Sequence, residues 1–153
     1  MDADTEAEGV RRLLTGAVIR SVGRAADMGV LELTGEHGEE LAVHIQCAFR
    51  VLHDGQVILG ARDMAYVRNG VAGEGAFDAF ATLYDDRAAL LDRVLAGARP
   101  QVETVRRGPA GALSLEATRG FLVEILPDRS GVEESWRAFT RGGRHYGYPP
   151  GVV

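Results

Sequence analysis

The chain has 153 residues, of which 46% are hydrophobic and 25% are charged, and its net charge is −5. This size and balance are typical of one globular domain and exclude disorder of the whole chain. The negative charge argues against a nucleic-acid binder, and no apolar run approaches the ~20 residues that a membrane-spanning helix needs. We therefore predict a single domain over residues 1–153, with no nucleic-acid partner and no membrane span.

The N-terminal sequence, MDADTEAEG, is acidic and lacks the basic and apolar stretches of a signal peptide. We therefore expect a cytoplasmic protein whose residues 1–8 are frayed. A short helix should follow, with Val10, Leu13 and Leu14 on one side and Gly16 just past its end. Apolar and β-branched residues then predict two strands, over 17–22 and 28–34.

The clearest pattern in the chain is an alternation over residues 41–51. Every second residue is apolar, and the intervening positions are more polar. This period of two predicts one long strand with a buried face and a wetter face, and a bend is expected near residues 46–48. Asp54 and Gly55 then predict a tight turn into a partner strand over 56–60.

Residues 82–95 carry the strongest helical pattern. An apolar stripe recurs at helical spacing, formed by Leu83, Leu90, Leu91, Val94 and Leu95. Thr82 and Asp85 have the spacing of an N-terminal capping box, and Gly97 and Pro100 should end the helix. We take this as the one main helix of the fold.

Strand patterns resume after this helix, over 101–107, 112–118 and 121–126. Residues 49–55 and 136–142 share one pattern: an aromatic residue, Arg, two apolar residues, two polar residues and Gly. In the second copy the two polar residues begin at Thr140. This weak repeat suggests two similar halves, over 17–68 and 101–148, joined by the helix at 82–95. The expected fold is α+β, with an antiparallel sheet or sheets of about seven or eight strands packed on that helix.

The residues His44, Cys47 and His53 invite a metal site, because imidazole and thiolate are good zinc ligands. His44 and Cys47 are three residues apart on a predicted strand, however, and would point to opposite faces. We therefore predict no metal site, and no sequence motif indicates a cofactor. Cys47 is expected to be a small residue of the buried face rather than a nucleophile.

The wetter face of the long strand carries the candidate ligand-binding residues. His44, Gln46 and Arg50 should stand in a row along it, and His53 and Asp63 follow close by. Such a row can line a cleft for a polar or acidic ligand. The alternative is that it forms an ordinary solvated sheet face.

Three segments resemble a pattern found in small uncharacterised actinobacterial proteins. They are Val-His-Ile-Gln-Cys-Ala-Phe-Arg at 43–50, Leu-Pro-Asp at 126–128 and Glu-Ser-Trp-Arg-Ala-Phe at 134–139. Ala48 and Phe49 stand where those proteins more usually carry Pro and Trp. The resemblance covers most of the chain and implies no activity.

Because the chain shows no complete catalytic constellation, we expect a non-enzymatic binding or protein-interaction module. Its partner would be another protein or a second copy of the chain, paired through the edge of the long strand. The alternative is a small enzyme or ligand-binding protein with a polar cleft around His44 and Arg50. A concave pocket that holds both side chains would favour the alternative.

Overall fold

The structure, a computed structural model, describes residues 3–67, 75–130 and 133–150. These residues contain the helices α1 (Ala3–Leu14) and α2 (Leu83–Ala98), neither of which is long and apolar enough to cross a membrane. The strands are β1 (Val18–Ala25), β2 (Met28–Thr34), β3 (Glu40–Ile45), β4 (Ala48–His53), β5 (Gln56–Gly60), β6 (Val102–Arg107), β7 (Leu113–Ala117), β8 (Phe121–Leu126), β9 (Trp136–Thr140) and β10 (His145–Tyr148).

All strand pairs are antiparallel, and they form two sheets of five strands each. Sheet 1 has the order β1-β2-β3-β9-β10, and sheet 2 has the order β5-β4-β8-β7-β6. The predicted α+β class with antiparallel pairing is confirmed. The prediction of seven or eight strands on one main helix is wrong, because the described residues hold ten strands and two helices. Alternation has the same period in either sheet, so it cannot show where a chain passes from one sheet to the other.

The segment predicted as one long strand is two strands in different sheets. β3 ends at Ile45 and β4 begins at Ala48, so the chain changes sheet at Gln46 and Cys47, where the sequence predicts a bend. Gln46 N donates to Ser135 O at 2.7 Å, which fixes the crossing. The buried side chains on both sides of the crossing belong to one apolar cluster that both sheets share.

The N-terminal residues differ from expectation. Residues 3–8, predicted to be frayed, form the first turns of α1, while residues 1 and 2 lie outside the described residues. Tertiary packing accounts for this. Glu6 is buried, and the ring of Tyr146 lies so close to Gly9 that a Cβ at that position has no room. An acidic composition alone does not reveal such a contact.

Helix α2 confirms the predicted capping box, since Thr82 Oγ1 accepts a hydrogen bond from Asp85 N and the Asp85 side chain accepts one from Thr82 N. Its buried face differs from the predicted stripe. Leu91 and Leu95 are buried, but Leu90 and Val94 are 52% and 48% exposed. Leu90 and Val94 therefore lie outside the buried face of α2, and Tyr84 and Ala88 are part of that face instead.

The helices cover the open sides between the two sheets. α2 contacts β1 of sheet 1 and β5 of sheet 2, and α1 contacts β6 and β10. Two side chains of α2 bind the backbone of β1: Asp92 Oδ1 accepts from Val22 N at 2.9 Å, and Tyr84 Oη donates to Gly23 O at 2.6 Å. The strand edges that such a fold would expose are therefore partly occupied by helix side chains.

The two halves of the chain place their elements in the same order, a helix followed by five strands. In sheet 1 β9 pairs with β3, with Trp136 opposite Ile45, and in sheet 2 β4 pairs with β8, with Phe49 opposite Ile125. β1 and β6 also each carry a register shift near their first residues, between Ile19 and Ser21 and between Val102 and Thr104. The first three strands of each half thus form one sheet with the last two strands of the other half.

The ion pair between Arg24 and Asp85 joins β1 to the start of α2. Arg24 Nε and Nη2 donate to the two carboxylate oxygens of Asp85 at 2.8 and 2.9 Å. The Arg24 and Asp85 side chains are only 1% and 11% exposed. The guanidinium lies 4.3 Å from the ring centroid of Phe77 and 4.2 Å from that of Phe80. These contacts of Arg24 hold the residues before α2 against sheet 1.

We predict that Asp85→Asn lowers the free energy of unfolding by about 3 kcal/mol, because it leaves the buried Arg24 charge without its counter-charge. Burial alone raises the pKa of Asp85, but hydrogen bonds from Arg24 and Thr82 outweigh it and hold the pKa below the ordinary 3.8. The charged pair therefore stabilises the fold above pH 3.8, and this contribution is lost as pH falls through the lower folded value.

Urea unfolding at a series of pH values tests this prediction, with Asp27→Asn on an exposed residue as the control. The difference between the native chain and Asp85→Asn should shrink below pH 3.8. A loss below about 1 kcal/mol at neutral pH, the range of an exposed ion pair, contradicts it.

Candidate functional site

The row of polar side chains predicted on one strand face is not formed. His44 lies on β3 of sheet 1, and Arg50 lies on β4 of sheet 2. His44 and Arg50 each lie between two buried neighbours on their own strand. Each side chain therefore points away from the shared core, but the two do so from different sheets. The row assumed one continuous strand, and the change of sheet at residues 46–47 separates its members.

Arg50 and His53 each have a local partner. Arg50 Nε donates to Glu124 Oε1 of the neighbouring strand at 2.8 Å. The ring of His53 stacks on Phe121 with centroids 4.3 Å apart, and its Nε2 lies 3.1 Å from Arg119 O. These contacts hold β4 to β8 and the turn before β8.

The other two predicted residues, Asp63 and Gln46, lie apart from both. Asp63 lies in the short 3-10 turn Ala61–Ala65, where its Oδ2 accepts from Gly60 N at 3.0 Å. Gln46 is exposed at the crossing between the sheets. The five predicted site residues therefore do not converge on one cleft.

His44 belongs instead to an aromatic cluster on the outward face of sheet 1, which we define as His44, Phe139, His145, Arg137 and Glu134. The Phe139 ring meets His44 edge-on at 4.8 Å and stacks on His145 at 4.9 Å. Burial and the nearby positive charge of Arg137 lower the pKa of His44. The His44 ring is therefore neutral at pH 7.

Arg137 is held rigidly within this cluster. Its Nε lies 3.1 Å from both carboxylate oxygens of Glu134, and its Nη2 donates to Oε2 at 2.7 Å. The hydrogen bond that Arg137 donates to Glu134 raises the pKa of Arg137. Arg137 Nη1 also lies 3.4 Å from His145 Nδ1. The guanidinium thus keeps a fixed orientation next to Phe139.

A groove of about 240 Å³ adjoins Phe139 on the same face. Its lining carries both signs of charge; the lining residues are Arg20, Ser21, Glu32, Leu33, Thr34, Glu40, Leu41, Ala42, Phe139 and Arg141. Arg20 Nη1 donates to Thr34 Oγ1 at 2.9 Å, and Arg141 Nε lies 3.2 Å from Glu40 Oε2. The groove and the aromatic cluster form one continuous surface through Phe139.

Cys47 is less buried than the sequence predicts. It packs against the edge of the core and lines an open groove of about 530 Å³ beside Asp128 and Arg129. Its Sγ lies 3.5 Å from Ala48 O. Burial, and next the charge of Asp128, raise the pKa of the Cys47 thiol to about 12, so it stays protonated at neutral pH.

No group of three or more His, Cys, Asp or Glu residues lies close enough to hold a metal ion in the part of the chain that the structure describes. His44 is on the outward face of sheet 1, and Cys47 lies in the crossing between the sheets.

Sequence reasoning missed Phe139, Arg137, Glu134 and His145. The segment containing the first three is ambiguous between helix and strand, and the tail containing His145 has too few β-branched residues to indicate a strand. In the structure, Trp136 and Ala138 are buried, which places Arg137 and Phe139 outward. That two-residue alternation was the available signal.

Comparison with known proteins found no matching family model, no matching curated protein and no matching solved structure.

We predict that Cys47 in the native protein reacts with an aromatic disulfide reagent at pH 8 about a hundredfold or more slower than after denaturation, because only the thiolate attacks. The rate should rise as pH approaches 12, where the thiol begins to ionise. Equal rates in native and denatured protein at pH 8 would show that the thiol is neither buried nor suppressed.

Proposed function

We propose that the protein is a non-enzymatic, cytoplasmic binding module that recognises a protein partner through the outward face of sheet 1. The observation that supports this most is the aromatic cluster, in which Phe139 lies between two imidazole rings and beside an Arg137 fixed by Glu134.

The chemistry of the cluster is that of residues that carry binding energy in protein interfaces. Aromatic and arginine side chains dominate such energies, mainly where they are rigid before binding. Arg137 is held by a bidentate carboxylate, and the two ring contacts hold Phe139. Few side chains of this face therefore lose conformational freedom when a partner binds to it.

The charges around the groove support a polypeptide partner. Arg20 and Arg141 line it together with Glu32 and Glu40. A partner with both signs of charge can match this arrangement, and mixed charges fix the register of a protein interface more than they add affinity. A small ligand that carries one sign of charge would be repelled by the lining residues of the same sign.

The alternative, an enzyme or ligand-binding cleft around His44 and Arg50, requires those side chains to converge on one ligand. They lie on different sheets, and neither lines the groove beside Phe139. A homodimer through the edge of the long strand is not favoured either, because β3 and β4 each have paired strands on both sides.

We also infer that residues 1–153 form a single domain built from half-repeats over 17–68 and 101–148, joined by α2. Residue 68 lies outside the described residues. Trp136 lies opposite Ile45 in sheet 1, and Phe49 lies opposite Ile125 in sheet 2. Each aromatic residue therefore pairs with the isoleucine of the other half, which supports the repeat. Arg50 and Arg137, which follow the two aromatic residues, both lie on outward strand faces.

We predict that Phe139→Asp abolishes partner binding, with a loss of at least about 2 kcal/mol, the scale of a central interface residue. The matched control is Leu126→Asp, which places the same charge on an exposed leucine of sheet 2. Each tagged chain is purified from the cells that naturally make it, and its companions are identified by mass spectrometry. Thermal unfolding checks that both variants fold.

A protein retained by the native chain and by Leu126→Asp, but lost by Phe139→Asp, is the expected result. Retention of the same proteins by all three chains contradicts the proposed surface. A small molecule as the sole companion in native mass spectrometry contradicts the proposed partner class.

A further inference from the structure

The large hydrophobic side chains that are exposed in the described residues are concentrated around helix α2. There are eight of them, and six lie on α2 or in the segments that adjoin its start: Tyr66, Val67, Phe77, Phe80, Leu90 and Val94. Leu83 N donates to Tyr66 O at 2.9 Å, and Val67 pairs with Thr82, so these two exposed residues lie beside the first turn of the helix. Exposed apolar side chains that gather in one region are typical of an interaction surface, whereas scattered ones are ordinary.

The outward side of α2 carries the part of its apolar stripe that the core does not use. Leu90 and Val94 are one helical turn apart and about half exposed. Gly97 follows on the same side, and a Cβ added there would have open space around it. No packing among the described residues therefore requires a glycine at this position, although glycine destabilises a helix. A position without a side chain lets another backbone approach closely.

The charges on this side of α2 match a second copy of the same helix in the antiparallel direction. Asp86 lies one turn before Leu90, and Arg93 lies about one turn after it. In an antiparallel pair centred between Ala89 and Leu90, Asp86 of each copy faces Arg93 of the other. A parallel pair in register would instead bring like charges together, which is unfavourable. A twofold axis repeats each contact, so the one charge pair occurs twice.

The antiparallel direction also extends the apolar contact beyond the two helices. α2 has 16 residues, so the end that carries Val94 and Gly97 in one copy would lie beside the start of α2 in the other. Tyr66 and Val67 are exposed next to that start. Tyrosine is one of the residues enriched in protein interfaces. The apolar side chains at the two ends of α2 therefore meet across the same axis.

We propose that the outward side of α2 is the contact surface between two copies of the chain, paired antiparallel about a twofold axis between Ala89 and Leu90. Leu90 and Val94 supply the apolar contact, and the charge pairs set the direction. This surface does not include the aromatic cluster on sheet 1, so the dimer does not depend on the proposed partner binding.

Sedimentation of the full chain over a series of concentrations tests the dimer. The mass should rise toward twice the 16.4 kDa of one chain. Leu90→Arg should raise the dissociation constant of the dimer by about thirtyfold or more, because it places two like charges at the centre of the contact. The matched control is Leu126→Arg on an exposed leucine of sheet 2, which should leave the dissociation constant unchanged. Val94→Arg is a second variant of the contact, and thermal unfolding checks that each variant folds.

Reversal of single charges tests the direction of pairing. Arg93→Asp and Asp86→Arg should each weaken self-association, because each makes like charges face each other at both contacts. A mixture of the two variants restores opposite charges at both contacts. It should therefore form a heterodimer about tenfold more tightly than either variant pairs with itself.

Three results would overturn the proposal. The first is a native chain that remains a monomer at concentrations up to about 1 mM, including one that binds a different protein through α2. The second is a dimer whose dissociation constant is unchanged by both Leu90→Arg and Val94→Arg. The third is a mixture of the charge-reversed variants that shows no preference for the heterodimer.

Discussion

The exchange of strands between the two sheets is the constraint on which the rest of this structure depends. The chain leaves sheet 1 for sheet 2 between Ile45 and Ala48, and it returns between Leu126 and Trp136. As a result Phe49 packs into the sheet formed mainly by the second half, and Trp136 packs into the sheet formed mainly by the first. Neither half can bury its own apolar strand faces, so burial of the common core requires both.

The same exchange determines where side chains with useful chemistry can meet. It separates His44 from Arg50, which the sequence places on one face, and it brings β9 beside β3, so that Arg137 and Phe139 lie next to His44. It also leaves one open side for each helix. On the side covered by α2, Arg24 of β1 is paired with the Asp85 carboxylate at the start of that helix.

The sequence predicts local structure well here and long-range structure poorly. The capping box at Thr82 and the hairpin turn at Asp54 depend on neighbouring residues, and both predictions agree with the structure. Whether the strand holding Ile45 continues in the same sheet depends on which strands pair with it, and alternation carries no such information. The docking of α1 depends on Tyr146, a residue at the far end of the chain. The repeat pattern around Phe49 and Trp136 was the one long-range signal available. It did not reveal the candidate site, because His44, Glu134 and His145 lie outside both copies of the pattern.

The most direct test of this account is to divide the chain between its halves. Residues 1–70 and 71–153 are produced separately, then mixed, and examined by circular dichroism, urea unfolding and sedimentation. If each sheet needs strands from both halves, neither fragment alone should be a monomer that unfolds cooperatively. The equimolar mixture should form a 1:1 complex with a cooperative transition. A single fragment that folds cooperatively as a monomer would contradict the exchange of strands and the dependence of the core on both halves.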